Sequence, residues 1–452
     1  MKTDDIEIDK SSKNDVPIFN AASVLPYLKE IKTNKSNVVG DIPAKIIKEI
    51  ADSISAPYAH ILNTMISRGE YPYLWKMEIQ TPVPKVYPPS NVNELRNISG
   101  LLNIDKITQK IFGEMITEDI KTNLDPSQYG NQKKTSIQHY LLNMLHSILV
   151  ALDGSKNGDQ FAVIASLIDW KEAFPRQCHK LGIEAFINLG VRKSLIPTLI
   201  NFFQDRRMAV KWHGKLSDIK KLNGSGPQGS TIGLLEYLAQ SNDNANCVDI
   251  KNRFKFIDDL TILEIVNLIS IGISSHNSKF QVPNDTPDHN EFINPGNLQS
   301  QNYIDKISKW TNDHKMKLNV KKSNIMIFNF SNTKQFTTRL VMNDSVMPVV
   351  NKTKLLGTII TDDLKWDDNT SFLIKQANAR LVLLRKASEY TNKIEDLKSI
   401  YLSHVRNILE QSCVIWHNSL TQENIENLER VQKNAFRTVS YTHLTLPTIL
   451  LV

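Results

Sequence analysis

The sequence comprises 452 residues, of which 41% are hydrophobic and 22% are charged, and its formal net charge is +7. This length exceeds what one hydrophobic core normally supports, and the composition is typical of a globular chain, which argues against a disordered or membrane-spanning protein. The positive charge favours a polyanionic partner, either nucleic acid or an anionic membrane surface.

The cysteines and the two ends of the chain indicate a cellular compartment. Cys178, Cys247 and Cys413 are far apart and form no CxxC pair, which suits a reducing compartment and gives no sign of a zinc site or a disulfide framework. The N-terminus lacks the apolar core of a signal peptide, and "LTLPTILLV" is too short to cross a bilayer. We therefore expect an intracellular protein of the cytoplasm and nucleus with no membrane partner, and no pattern indicates its oligomeric state.

The first third of the chain predicts helices around one strand-forming segment. Residues 1–20 are charged and polar, so we expect disorder there. Apolar residues recur at helical spacing over 21–67, and further helices are predicted at 103–122 and in "LLNMLHSILVAL". Between them, residues 78–83 alternate as a strand does, before a run of prolines ends the pattern.

The middle of the chain mixes strands and helices, whereas the last third is helical. "FAVIASLIDWKEAF" predicts a strand that runs into a helix after Asp169, followed by helices over 180–204 and a hairpin over 208–222. Residues 274–302 predict a flexible loop, "YIDKISKWTNDH" a helix and "IMIFNF" a strand. After "LLGTIITDDLKW" the pattern is almost wholly helical to about Val439. These elements predict an α+β fold with a helical C-terminal subdomain.

Three segments carry candidate functional residues. "RFKFIDDLTIL" sets Asp258 and Asp259 in an apolar run; taken alone the pair is best explained by a hairpin turn, with a metal site as the alternative. Asp169 ends an apolar strand and is either a helix N-cap or a metal ligand, roles that one residue can combine. "NGSGPQGSTIGLL" places Gln228 on a backbone able to approach a flat or phosphorylated ligand, although an ordinary loop is the simpler interpretation.

In this order, the three segments resemble the reverse transcriptase family and, within it, the enzymes of non-LTR retrotransposons of the jockey-like and LINE types. "DWKEAFP", "GSGPQGSTIGL" and "FIDD" stand where the family has "DFSKAFD", "GVPQGSVLGP" and "YADD". Four further segments also match the family: "WKMEIQTPVPK", "QYGNQKKTSIQHYLL", "MKLNVKKSNIMIF" and "KLLGTIITDDLKW". The likeness therefore covers about residues 30–440. The resemblance implies an RNA-directed DNA polymerase with a right-hand α+β fold, composed of fingers, a palm with an antiparallel sheet, and a helical thumb.

By this resemblance the chain divides into six parts. They are a disordered N-terminus at 1–20, a helical N-terminal extension at 21–75, the fingers at 76–160, the palm at 161–365, the helical thumb at 366–440 and a non-native tail at 441–452. The palm is expected to include a fingers insertion at about 177–222 and the flexible loop at 274–302. The sequence has no endonuclease, zinc-knuckle or RNase H signature, so we expect a fragment of a longer protein.

The resemblance also implies catalytic roles. Asp169 and Asp258 would be the principal ligands of two Mg²⁺ ions, or of Mn²⁺ in their place, with Asp259 beside them. With these ions, a dNTP would be transferred to the 3′-hydroxyl of a DNA primer on an RNA template. Lys322 would donate a proton to the pyrophosphate leaving group.

Five further residues match the nucleotide-binding positions of the family. Phe174 would exclude a ribose 2′-hydroxyl, and Gln228 with Gly229 would lie against the incoming nucleotide. Lys85 and Arg96 would grip its triphosphate, the arginine as a planar fork and the lysine as a point charge. Without the resemblance, Phe174 is equally a core residue of an amphipathic helix, and the two cations are surface charges.

The last predicted helix has an apolar face and a cationic side. The predicted buried face consists of Ile425, Leu428, Val431 or Gln432, Ala435 and Val439. One side of the helix carries Arg430, Lys433 and Arg437. Such a stripe of charged side chains is usually only a solvated surface. In a polymerase this stripe would follow the phosphates of a nucleic acid.

Three departures from the family pattern leave other functions open. Phe256 replaces the usual Tyr, Pro175 stands where Asp is usual, and residues 234–248 bring polar side chains into a segment that is normally packed behind the hairpin. This divergence indicates a decayed or specialised copy. The alternatives are therefore a catalytically decayed nucleic-acid-binding remnant of a retroelement and an intron-encoded maturase-type reverse transcriptase.

Overall fold

The computed structural model describes residues 16–34, 37–38, 40–154, 160–222, 224–270, 291–330, 336–391 and 393–440. The predictions for residues 1–15, 274–290 and 441–452 lie outside the described residues. None of the helices in these ranges has the length and hydropathy needed to cross a membrane.

Helices make up much of the described chain. In chain order they are α1 (Ala21–Lys29), α2 (Ala44–Glu49), α3 (Ala51–Arg68), α4 (Asn103–Ile120), α5 (Ile137–Asp153), α6 (His179–Asn188), α7 (Ile196–Phe203), α8 (Thr231–Gln240), α9 (Gln299–Asp313), α10 (Asp367–Ser388), α11 (Ile394–Tyr401), α12 (Asn407–Leu409), α13 (Cys413–Trp416) and α14 (Gln422–Ser440). A π-helical segment, Leu402–Arg406, separates α11 from α12.

The strands are mostly short. They are β1 (Met77–Pro84), β2 (Leu95–Gly100), β3 (Phe161–Ile168), β4 (Arg207–Trp212), β5 (Lys215–Leu216), β6 (Lys220–Lys221), β7 (Arg253–Phe256), β8 (Asp259–Asn267), β9 (Glu291–Ile293), β10 (Asn324–Phe328), β11 (Phe336–Thr338), β12 (Val341–Met342), β13 (Ser345–Val346), β14 (Lys352–Leu355) and β15 (Thr358–Thr361). Helices together with mainly antiparallel sheets confirm the predicted α+β class.

The described residues form two compact units. The first lies within Met1–Pro126, Trp170–Asn246 and Ile307–Leu318, and the second within Ser127–Asp169, Cys247–Lys306 and Asn319–Val452. The residues of the predicted palm at 161–365 contribute to both units. The division into fingers, palm and thumb stays a prediction.

The first unit combines a five-stranded sheet with a helical core. The strand order is β2-β1-β4-β5, and β6 also pairs with β4; β1 and β4 are parallel, whereas the other pairs are antiparallel. The apolar faces of α3, α4, α7 and α8 meet in the core, which buries Leu62, Phe112, Leu199 and Leu235. The helical spacing predicted over 21–67 and 103–122 thus reflects real packing faces.

The second unit is built on a four-stranded antiparallel sheet in the order β10-β3-β8-β7. β3 lies between β10 and β8, and most of its residues are buried. An apolar cluster joins this sheet to α5 and to the C-terminal helices, and it buries Tyr140, Met326 and Trp416. This apolar packing therefore stabilises the sheet that contains β3 and β8.

The helix predicted after Asp169 is wrong. Within the described range 160–222, a 3₁₀ turn at Phe174–Arg176 takes its place, and α6 begins only at His179. Glu172 has a φ of +56°, so the backbone leaves helical geometry there, and Pro175 lies in the first turn of the 3₁₀ segment, where a proline is tolerated. The N-cap interpretation of Asp169 and the helical-core interpretation of Phe174 therefore both fail.

The flexible loop predicted at 274–302 is wrong over the part that the structure describes. β9 pairs with β11 there, and α9 begins at Gln299. The carboxylate of Glu264 on β8 accepts hydrogen bonds from the N–H groups of Gln299 and Ser300, at 2.8 and 2.7 Å. This carboxylate stabilises the start of α9 from a distant position in the sequence, which local composition did not reveal.

Candidate active site

The Asp258–Asp259 pair lies in the hairpin between β7 and β8. Phe256 pairs with Asp259, which leaves Ile257 and Asp258 as a two-residue loop. Ile257 has a φ of +56°, and the primed turns that close such hairpins require a positive φ at this first position. Asp258 is exposed at the tip, whereas Asp259 begins β8 and is partly buried. The turn predicted from the dipeptide alone is therefore confirmed.

Asp169 follows β3 and is held by the segment that precedes β10. Its Oδ2 accepts a hydrogen bond from Asn319 Nδ2 at 2.7 Å, and its backbone N–H donates to Ser323 Oγ at 3.0 Å. The backbone N–H of Asn319 donates to the Asp169 carbonyl oxygen at 2.8 Å. Three hydrogen bonds thus fix both the backbone and the carboxylate of Asp169.

The strand register brings Asp169 and Asp259 to the same edge of the sheet. Ile168 pairs with Leu260 across the antiparallel β3–β8 ladder. Asp169 follows Ile168 and Asp259 precedes Leu260, so the two carboxylates occupy neighbouring positions on adjacent strands. The hairpin loop adds Asp258 at the same edge.

The charges at this edge act on one another. Burial and the nearby carboxylates of Asp258 and Asp169 raise the pKa of Asp259 to about 7. Burial also raises the pKa of Asp169, while the hydrogen bond from Asn319 and the charge of Lys322 act in the opposite direction. Asp259 therefore interacts electrostatically with Asp258 and Asp169, and Asp169 interacts with Lys322.

The carboxylates are not gathered as a finished ligand set. No group of three or more His, Cys, Asp and Glu side chains within the described ranges is arranged to hold a metal ion. Carboxylates repel one another unless a proton or a cation lies between them. Asp169, Asp258 and Asp259 nevertheless fit Mg²⁺ or Mn²⁺ chemically, because they offer hard oxygen donors and their repulsion favours a cation.

The predicted nucleotide-binding loop lies in the first unit. The backbone N–H of Ser99 on β2 donates to the Gln228 carbonyl oxygen at 3.0 Å, which places the loop against this strand. Gly229 has a φ of +111°, and a Cβ there would lie 3.4 Å from the Ser99 carbonyl oxygen. The Phe174 carbonyl oxygen accepts from the N–H of Gly226 at 3.3 Å. The structure therefore brings Phe174, Gln228 and Gly229 to one loop.

Lys85 and Arg96 lie near the end of the β1–β2 hairpin. Arg96 pairs with Val83, and Lys85 follows directly after β1. Both cations are exposed. Ser99, which contacts the Gln228 loop, is three residues from Arg96, a separation of about 10 Å along a strand. The two predicted cations and the predicted loop thus share one edge of the five-stranded sheet.

One polar residue of the segment that departs from the family pattern, Glu236, lies in the interior on α8. Glu236 is fully buried, and its Oε1 forms a 2.7 Å hydrogen bond with His179 Nδ1 on α6. Gly182 leaves room for it, because a Cβ at that position would lie 2.5 Å from Glu236 Oε1. Burial raises the pKa of Glu236, and the contact with His179 opposes this rise. Oε1 of Glu236 is thus paired, whereas its Oε2 is buried with no hydrogen-bond partner among the described residues.

α14 has the predicted apolar face and the predicted cationic side. Its buried residues are Leu428, Val431 and Ala435, with Ile425 and Val439 partly buried. Val431, and not Gln432, is the residue buried in the middle of this face. The exposed cations are Arg430, Lys433 and Arg437. Lys433 forms an ion pair with Glu429 at 3.1 Å, so part of the stripe's charge is already compensated.

Three residues that contact the carboxylate edge were not found from the sequence. Asn319 and Ser323 hold Asp169, and the side chain of Gln128 accepts a hydrogen bond from the N–H of Ile257. All three lie in segments that match the family, "MKLNVKKS" and "QYGN". The available signal was the presence of small polar side chains in those two segments.

One curated relative matches the chain along most of its length. The "Probable RNA-directed DNA polymerase from transposon X-element" of Drosophila melanogaster is 20% identical over 449 residues. The alignment covers 96% of this chain and 45% of the relative, so the chain spans less than half of the relative's length. No family model matches the chain.

Solved structures of two telomerases are similar to the chain at a lower level. Apo telomerase from Candida tropicalis, truncated from the C-terminal domain, has a TM-score of 0.40 and 11% identity, covering 70% of this chain and 60% of its own. Telomerase from Candida albicans in complex with a TWJ fragment of telomeric RNA has a TM-score of 0.39 and 10% identity. The match covers 84% of this chain and 62% of the telomerase chain. The resemblance inferred from the motifs is confirmed by the curated relative: over nearly its whole length, this chain is similar to the reverse transcriptases of non-LTR retrotransposons.

Proposed function

We propose that this chain is an RNA-directed DNA polymerase that adds dNTPs to the 3′-hydroxyl of a DNA primer on an RNA template. The observation that carries the proposal is the placement of Asp169, Asp258 and Asp259 at one edge of a four-stranded antiparallel sheet. The similarity to a transposon polymerase supports the same reaction class.

The acids at this edge would bind two divalent cations. Mg²⁺ or Mn²⁺ held by Asp169 and Asp258 would polarise the primer hydroxyl and compensate the charge of the leaving pyrophosphate. Asn319 keeps Oδ2 of Asp169 in a fixed orientation, as outer-shell partners of metal ligands usually do. Asp259, which holds a proton up to about pH 7 in the metal-free protein, would release it more readily beside a cation. Lys322 would protonate the leaving group.

The incoming nucleotide would be bound by five further residues. Gln228 and Gly229 would lie against the nucleotide, and Lys85 and Arg96 would bind its triphosphate. The ring of Phe174 packs on that of Tyr237 with their centroids 5.2 Å apart, and Tyr237 is itself buried. A ring supported in this way would reject a ribose 2′-hydroxyl, so the substrates would be dNTPs.

The remaining assignments belong to the same proposal. The fingers, palm and thumb would have the boundaries expected from the sequence, and the cations of α14 would contact the phosphates of the primer and template. The protein would act in the cytoplasm and nucleus. The decayed remnant is the alternative that the primer-extension assay tests, and no described feature favours a maturase.

Primer extension tests the proposal. Purified protein with poly(rA)/oligo(dT), dTTP and Mg²⁺ should extend the primer, and Asp258→Asn should abolish extension because an amide binds Mg²⁺ more weakly than a carboxylate. Asp344→Asn is the matched control, since Asp344 is also exposed in a two-residue hairpin loop, between β12 and β13. It should leave extension unchanged, which separates a metal-binding role from a turn role.

Two results would contradict the proposal. Extension that survives Asp258→Asn would remove the hairpin from the metal site. A wild-type protein that binds poly(rA)/oligo(dT) without extending it would instead favour a nucleic-acid-binding remnant.

A further inference from the structure

The hairpin that carries Asp258 and Asp259 is held by one buried side chain. Gln128 is 6% exposed, and its Oε1 accepts two backbone hydrogen bonds. One comes from the N–H of Ile257 at 2.9 Å, and the other comes from the N–H of Gly130 at 2.8 Å. Ile257 immediately precedes Asp258, so this contact acts directly on the loop that presents the carboxylates.

The loop requires such support because of its backbone conformation. Ile257 has a φ of +56°, a region that β-branched residues seldom occupy since the Cβ crowds the backbone. Residues held in this region persist only where their surroundings constrain them, and they concentrate at functional sites. Gln128 provides that constraint by accepting the N–H of the strained residue itself.

The segment that carries Gln128 is fitted to the hairpin along its backbone. It runs parallel to β7: the N–H of Lys255 donates to the Ser127 carbonyl oxygen at 2.9 Å, and the N–H of Tyr129 donates to the Lys255 carbonyl oxygen at 2.8 Å. Gly130 allows the closest approach, because a Cβ there would lie 2.6 Å from both the backbone N and the Cγ1 of Ile257. A side chain larger than hydrogen at Gly130 would therefore push the loop away.

We propose that Gln128 is a positioning residue, which fixes Asp258 and Asp259 in the orientation that binds divalent cations by accepting the N–H of Ile257. This inference rests on the proposed function, and Gln128 itself touches neither metal nor substrate. Without its oxygen, two N–H groups lose their partner and the loop relaxes toward conformations that an isoleucine prefers. The carboxylate of Asp258 then moves with the backbone that carries it.

Mn²⁺ binding, followed by electron paramagnetic resonance, tests the proposal without requiring polymerase activity. Gln128→Met keeps the size of the side chain but removes the acceptor, and it should weaken Mn²⁺ binding by about tenfold or more, as loss of an outer-shell partner does. Gly130→Ala should act like Gln128→Met by displacing Ile257, and it replaces that variant if Gln128→Met does not fold.

Asn369→Leu is the matched control. Buried Asn369 belongs to the same unit, and its Oδ1 accepts the N–H of Ile359 in the β14–β15 hairpin at 3.1 Å. It is the same kind of contact, between a buried side-chain amide and a hairpin backbone, at another hairpin. This variant should lower thermal stability without changing Mn²⁺ affinity.

Amide hydrogen exchange at Ile257 measures the support of the loop directly. Faster exchange together with weaker Mn²⁺ binding in Gln128→Met and Gly130→Ala, but not in Asn369→Leu, supports the proposal. Unchanged exchange, or unchanged Mn²⁺ affinity despite faster exchange, overturns it. If wild-type protein binds no more Mn²⁺ than Asp258→Asn does, the proposed function fails and the metal-positioning role fails with it, whereas exchange at Ile257 still decides whether Gln128 holds the turn.

Discussion

Asn319 holds Asp169 at two points: its side-chain amide donates to Oδ2 over 2.7 Å, and its backbone N–H donates to the carbonyl oxygen over 2.8 Å. The side-chain bond favours the ionised carboxylate and so opposes the rise in pKa that burial causes at Asp169. Because a metal ligand has to be ionised, this bond keeps Asp169 available for a cation at lower pH.

Asn319→Leu should therefore slow primer extension and move the acidic limb of its pH profile upward. A hydrogen bond to a charged group is worth about 1.5–3 kcal/mol, which corresponds to roughly a 10- to 100-fold loss in rate. Removing the donor raises the pKa of Asp169 further, so activity should be lost at a higher pH as the solution is acidified. Profiles of kcat/KM between about pH 5 and 8 measure both effects.

The control for this prediction is Asn302→Leu. Asn302 lies on an exposed turn of α9, where its side chain donates to Gln299 at 3.4 Å. Its loss should leave both rate and profile unchanged. An Asn319→Leu profile that superimposes on the wild-type profile would show that the hydrogen bond to Asp169 has no part in the reaction.

Asp259 should make the stability of the metal-free protein depend on pH. Its folded-state pKa of about 7 lies above its ordinary value of 3.8. Between about pH 4 and pH 7 the folded protein keeps a proton that the unfolded chain has released, so the free energy of unfolding falls as pH rises through this window. Below the window both states hold the proton, and above it both have lost it. In EDTA, wild-type protein should lose more thermal stability between about pH 5.5 and 8 than Asp259→Asn does.

Mg²⁺ should reverse this loss. It should raise the unfolding temperature most at about pH 8, where the three carboxylates are ionised, and Asp259→Asn should respond less. Asp344→Asn should keep the wild-type dependence on pH and on Mg²⁺. Equal pH dependence in wild type and Asp259→Asn would mean that other buried acids dominate, such as Asp105, whose pKa burial raises to about 6.

Gly182 and Glu236 should prove energetically coupled. Gly182→Ala should destabilise the protein by about 1–3 kcal/mol, because the added Cβ would lie 2.5 Å from Glu236 Oε1. In the Glu236→Ala background the same change should cost little, since the space is free and alanine favours the helix over glycine. Denaturant unfolding of the four proteins gives the coupling energy, and additive effects would rule out the close packing of Gly182 against Glu236.

How much the sequence predicted depends on whether a contact is local. The apolar face of α14 was predictable because Leu428, Val431 and Ala435 follow the helical period. The turn at Asp258 was predictable because short polar residues in an apolar run favour hairpin loops. The helix after Asp169 was predicted wrongly because Glu172 adopts a positive φ, which the amphipathic pattern around it does not reveal.

Contacts between distant positions account for the residues that were missed. Glu264 bonds to the start of α9 across 35 positions, Gln128 contacts Ile257 across 129, and Asn319 contacts Asp169 across 150. No periodicity or local composition encodes such pairs, since each depends on how the sheet brings separate strands together. The family motifs located the three candidate acids, whereas only the fold reveals which neighbours orient them.

The cations of α14 should differ in their contribution to nucleic-acid binding. Arg430 and Arg437 are exposed, whereas Lys433 is paired with Glu429 at 3.1 Å, so its charge is partly compensated before any phosphate arrives. Arg430→Ala and Arg437→Ala should each weaken binding to a primer–template duplex and reduce the slope of log Kd against log salt by about 1, and Lys433→Ala should reduce it less. The control is Lys398→Ala, which removes an exposed cation from α11. Fluorescence anisotropy at several salt concentrations measures the slopes, and equal slopes for Arg430→Ala, Arg437→Ala and the control would exclude α14 as a phosphate-binding surface.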